Sequence, residues 1–76
     1  MKIRWIISVN QKIIGMIENE SDAKEIFDSL NKSFSEMNKA NNLKSDVEVR
    51  MQRHVWINGM YQVNGPMFGF GFSKSN

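Results

Sequence analysis

Asp46-Val47-Glu48-Val49-Arg50-Met51-Gln52-Arg53-His54-Val55-Trp56-Ile57-Asn58-Gly59-Met60-Tyr61 is the stretch on which the fold turns. Val47, Val49, Met51, Val55 and Ile57 fall on one side of an extended chain, and Glu48, Arg50, Gln52, His54 and Trp56 on the other. That period-two alternation marks a strand with one buried face. Asn58-Gly59 follows at once, and both residues accept the positive φ that a type I′ hairpin turn demands. Pairing outward from the turn sets Ile57 opposite Met60 and Trp56 opposite Tyr61.

Downstream, Asn64-Gly65-Pro66 predicts a second break, because proline cannot donate to a central ladder. The chain then runs Met67-Phe68-Gly69-Phe70-Gly71-Phe72 into a polar tail. Phe68, Phe70 and Phe72 share one face and are expected to fill the core, while Gly69 and Gly71 leave a shallow outer face open to close backbone approach. Gly69-Phe70-Gly71-Phe72 resembles the centre of the RNP1 segment of the RNA-recognition motif, whose sheet-borne aromatics stack on bases. The likeness covers four residues. Phe68 stands where that pattern has a basic residue and the element order differs, so the chain is not assigned to that family.

Upstream, Ile3, Trp5, Ile7 and Val9 alternate with Arg4, Ile6 and Ser8, which predicts a first strand. Asn10-Gln11 reads as a two-residue turn into a second strand over Ile13 to Glu18. Ser21 offers an N-cap oxygen with Asp22 and Glu25 in the first turn. Ala23, Ile26, Phe27, Leu30, Phe34 and Met37 then lay one apolar stripe along a helix that frays near residue 40. The expected fold is α+β: one amphipathic helix on a four- to five-stranded, mainly antiparallel sheet, in the order ββαββ with a further strand if Pro66 divides the last one. A β-grasp arrangement, with the first strand parallel to the last, is the leading topology; a continuous antiparallel meander is the alternative. Residues 1–73 form one domain, with a flexible polar tail over 74–76.

Seventy-six residues without cysteine exclude disulfide scaffolds, thiol chemistry and thiolate zinc sites. A domain this small is expected to hold by only about 4–11 kcal/mol. Ten Lys and Arg against eight Asp and Glu leave a net charge of +2, which permits anionic partners without requiring them. The basic, apolar opening is too short for a signal peptide and has no cleavage site, and no stretch could span a bilayer. A cytoplasmic protein is expected. Asn, Ile and Lys make up about a third of the chain, a bias that fits a phage or a low-GC bacterium.

No catalytic, cofactor or metal site is read from the sequence. His54 is the lone histidine, and Glu48 would lie about 20 Å from it along a regular strand, too far to flank one reacting group. The candidate binding residues are Lys2, Arg4, Arg50, Arg53, His54, Trp56 and Tyr61. Trp, Tyr and Arg dominate interface hot spots, and the same set can stack on bases while cations hold phosphates. Two structural readings compete: Trp56 and Tyr61 as a plain cross-strand pair worth under about 1 kcal/mol, or a bulge near Arg53 turning Trp56 inward. The expected function is a small non-catalytic protein-binding module, such as an inhibitor or regulator of a larger protein, with homodimerisation through the C-terminal strand in the same class. The alternative is a single-stranded nucleic-acid or RNA-binding domain.

Overall fold

A computed structural model describes residues 2–75. Met1 and Asn76, which begin and end the ranges drawn from the sequence, lie outside the described residues. The chain forms β1 (Ile3–Val9), β2 (Lys12–Ile17), α1 (Glu20–Lys39), β3 (Val47–Ile57) and β4 (Met60–Phe72). The four strands make one antiparallel sheet in the order β2-β1-β3-β4, with the helix on one face. The α+β class and the ββαββ order are those expected. The strand order is neither a β-grasp nor a meander: β1 lies between β2 and β3 and pairs antiparallel with β3. Element order alone does not choose among these, because the β1–β3 pairing is made across the whole helix.

β3 is paired on both sides, and its alternation organises the molecule. Val49 faces Val9 on β1 and Phe70 on β4, and Met51 faces Ile7 and Phe68, so apolar side chains meet in rows beneath the helix. The helix adds the fully buried Ala23, with Phe27, Leu30 and Phe34 packed against the same cluster. Phe27 meets Phe70 edge-to-face at 5.2 Å, and Phe70 meets Phe72 at 5.8 Å. These rings fill the core as expected. Phe68 does not: it shares their side of β4 but remains 45% exposed, because it sits beside the start of the helix, where cover is partial.

The helix begins earlier than Ser21 suggests. Asn19 is the N-cap, its Oδ1 accepting from the Asp22 backbone N–H at 3.1 Å, so the same capping chemistry acts two residues upstream. At the other end Asn41 takes φ 57°, Asn42 N–H donates to the Met37 carbonyl at 2.9 Å, and Asn41 N–H to that of Asn38 at 3.1 Å. This is a Schellman closure with asparagine in the left-handed position. None of the described helical residues forms a segment long and apolar enough to cross a membrane.

Pro66 does not divide the last strand. Residues 64–66 bulge out of β4: Gln52 pairs with Met67 and His54 with Val63, leaving three β4 residues opposite Arg53 alone. Gly65 supplies the positive φ of 104°, and Gln52 Nε2 donates to its carbonyl at 3.1 Å. β4 is an edge strand, so Pro66 is tolerated there. Beyond β4, Lys74 N–H donates to Asp46 Oδ1 at 2.7 Å, and Ser75 exchanges bonds with the Leu43 backbone.

The Asn10-Gln11 turn has positive φ at both residues, 50° and 69°. Asn10 does more than turn. Its side-chain oxygen accepts from Glu48 N–H at 2.8 Å and its amide donates to the Asp46 carbonyl at 3.1 Å, which clips the first hairpin to the start of β3. Glycine placed at these two neighbours is therefore expected to act with opposite signs. Asn10→Gly keeps the turn but loses the clip, costing about 1–2 kcal/mol. Gln11→Gly relieves a left-handed residue and stabilises by about 0.5–1 kcal/mol. Urea unfolding of both variants measures this.

Candidate functional site

β3 runs eleven residues and β4 thirteen, but the core beneath the helix takes in β3 only as far as Met51. Beyond that row the β3–β4 hairpin continues as a ribbon, flanked on one side by the start of β1. Its length shows in the dimensions of the molecule, 47 × 20 × 18 Å, and in a radius of gyration of 13.9 Å against about 11.4 Å for a compact chain of this length. Along this ribbon Met60 is 57% and Val63 66% exposed.

The sheet face opposite the helix carries most of the residues singled out from the sequence. Arg4 pairs across with His54, and Trp56 with Tyr61. The Trp56 and Tyr61 rings meet edge-to-face, with centroids 5.0 Å apart and planes at 75°. Each ring also holds a cation: the Arg4 guanidinium lies 3.6 Å from the Tyr61 centroid, and Lys2 Nζ lies 5.7 Å from that of Trp56. Trp56 remains 44% exposed and Tyr61 is half-buried. The strands thus bring Lys2, Arg4, His54, Trp56 and Tyr61 into one cluster.

Arg50 and Arg53 are not part of it. Arg50 faces the same way but four residues along β3 from His54, and its Nε is 2.8 Å from Glu48 Oε1, the one ion pair among the described residues. Arg53 faces the helix side: it pairs with Trp5 and lines a hollow of about 460 Å³ with Glu18, Glu20, Pro66 and Phe68. The strand irregularity near Arg53 does exist, yet Trp56 stays outward. The additional residues are on β4 and even in number, and β3 keeps an unbroken register with β1 from Val49 to Val55.

In the cluster His54 makes no hydrogen bond to another described residue, and Glu48 lies beside Arg50. The arrangement is an aromatic corner with cations laid over its rings. The buried Arg4 Nε has no acceptor among the described residues, the one side-chain atom there in that position. Arg4 is held by the ring face instead, an interaction that survives partial exposure.

Two stability measurements separate these features. A double-mutant cycle of Trp56→Leu and Tyr61→Leu is expected to give a coupling of about 0.5–1.5 kcal/mol by urea unfolding. Arg50→Ala is expected to change stability by less than about 0.5 kcal/mol, since both partners of its ion pair are nearly half exposed.

Compared with known proteins, the chain matches no family model, no curated protein sequence and no solved structure.

Proposed function

We propose that this chain is a small non-catalytic protein-binding module, an inhibitor or regulator that docks on a larger protein through the outer face of the β3–β4 ribbon. The observation that carries the proposal is the Trp56–Tyr61 corner, two large rings fixed against each other and left nearly half open at the indole. Trp, Tyr and Arg are the residues in which protein interfaces concentrate their affinity, and Arg4, His54 and Val63 lie beside this pair on the same face. The Asn-, Ile- and Lys-rich composition suits a cytoplasmic accessory protein of a phage or a low-GC bacterium.

The same geometry favours a protein over a nucleic acid. Successive bases stack on successive open rings, whereas Arg4 covers a face of Tyr61 and leaves the half-exposed Trp56 as the one open ring of the pair. A phosphate track needs cations in succession along the face, whereas Arg50 is paired with Glu48 and Arg53 lies on the other side of the sheet.

Capture from the source cell with the wild-type chain and with Trp56→Ala/Tyr61→Ala as bait tests the surface. The expected result is a protein retained by the wild type alone, with the double variant weakened at least about thirtyfold in a purified titration. Equal recovery by both baits overturns the proposed surface. Titrating a mixed-sequence oligonucleotide at about 50 and 200 mM salt tests the rival: tight binding that collapses over that range replaces the protein-binding reading with the nucleic-acid one.

A further inference from the structure

β4 is an edge strand of thirteen residues without a charged side chain, and the uncharged run extends from Val55 through Ser73. Natural edges are ordinarily blunted by charge, proline or a bulge, since their free N–H and C=O groups template another strand. The other edge of this sheet, β2, is only six residues long, opens on Lys12 and carries an irregularity between its pairings with Ile7 and Ser8. On β4 the bulge and Pro66 protect only the distal half. The segment from Met67 to Ser73 has no such device.

That segment has a symmetry of its own. Phe68-Gly69-Phe70-Gly71-Phe72 reads the same in both directions about Phe70. Its limits are symmetric as well. The backbone groups of Glu48 and Trp56 face β1, so the alternate residues Val47, Val49 and Met51 bond to Phe72, Phe70 and Phe68, and the groups left on the free edge are those of Met67, Gly69, Gly71 and Ser73, centred on Phe70. We infer that two copies of this chain pair antiparallel through β4, with a two-fold axis at Phe70, to form a continuous eight-stranded sheet.

In this register Phe68 meets Phe72 of the second copy, Gly69 meets its Gly71, and Phe70 meets Phe70. All aromatic rings then fall on the helix side, and the glycines face glycines on the outer side. The 45% exposed Phe68, which α1 leaves uncovered, gains a ring across the new ladder. The helices do not collide. α1 rests over β1 and β3, so the two helix axes stand about 14–19 Å apart at ordinary strand spacing, against the 8–10 Å of packed helices, and the phenylalanines lie between them.

The surface of the single chain leaves room for such an interface. It exposes 5473 Å², about 700 Å² more than a compact monomer of its mass, and a standard interface takes about 800 Å² from each partner. The second copy is the favoured occupant because the edge is self-complementary about its own centre, as an isologous contact requires. This assembly is independent of the Trp56–Tyr61 corner, which lies toward the other end of β4.

Light scattering of the full chain, with a spin label at Ser73→Cys for distance measurement, tests the inference. The expected result is a mass twice the 8.8 kDa of one chain and a separation of about 20 Å between the two residue-73 backbones, six residues of strand. Phe68→Lys is expected to weaken the dimer at least tenfold, with its helix and sheet signals retained. Trp56→Ala is expected to leave the mass unchanged, so failure of the partner surface and failure of the dimer are distinguishable. A monomer up to millimolar concentration, a dimer with a label separation beyond about 35 Å, or open-ended higher species from β4-to-β2 pairing would each overturn the two-fold at Phe70.

Discussion

The rest of the structure depends on β3 keeping one unbroken alternation while paired on both sides. Val47, Val49 and Met51 must all reach the helix face, and the registers with β1 and β4 line them up with Val9, Ile7, Phe72 and Phe70. A slip of one residue would exchange the two faces, putting Glu48 and Arg50 under the helix and the valines in water. The same alternation carries past the helix, where it aims His54 and Trp56 outward. Core and candidate surface are thus set by one periodicity.

Much of this was legible in the sequence because it is local. The Asn58-Gly59 turn, the Trp56–Tyr61 pairing, the helical stripe of Ala23, Phe27, Leu30 and Phe34, though not Ile26 and Met37, which stay exposed, and the end of the helix near residue 40 each follow from residues within a few positions of one another. The N-cap was ambiguous for a local reason as well, since Asn19 and Ser21 offer the same kind of acceptor. Arg53 is a different case. Its residue type groups it with the outward cations, but the alternation of β3 already sets it with Met51 and Val55, and the structure follows the alternation.

What could not be read was non-local. The position of β1 between β2 and β3 depends on a pairing made across the helix, and the Asn10 clip joins residues 36 to 38 positions apart. Asn64-Gly65-Pro66 carries every sign of a chain break. It is held within the strand by a single side chain, Gln52, from the neighbouring strand. Phe68 looks like Phe70 and Phe72 in sequence and differs from them only because the helix starts beside it.

The strand order also bears on how the molecule assembles. Both hairpins, β1–β2 and β3–β4, are contiguous in the chain and can zip from their tight turns within microseconds. Only the β1–β3 seam joins distant parts, and closing it means bringing Val9 to Val49 with the whole helix in between. The entropy of that closure falls on one step. The chain is therefore a pair of fast local units whose speed of becoming native is governed by a single docking event.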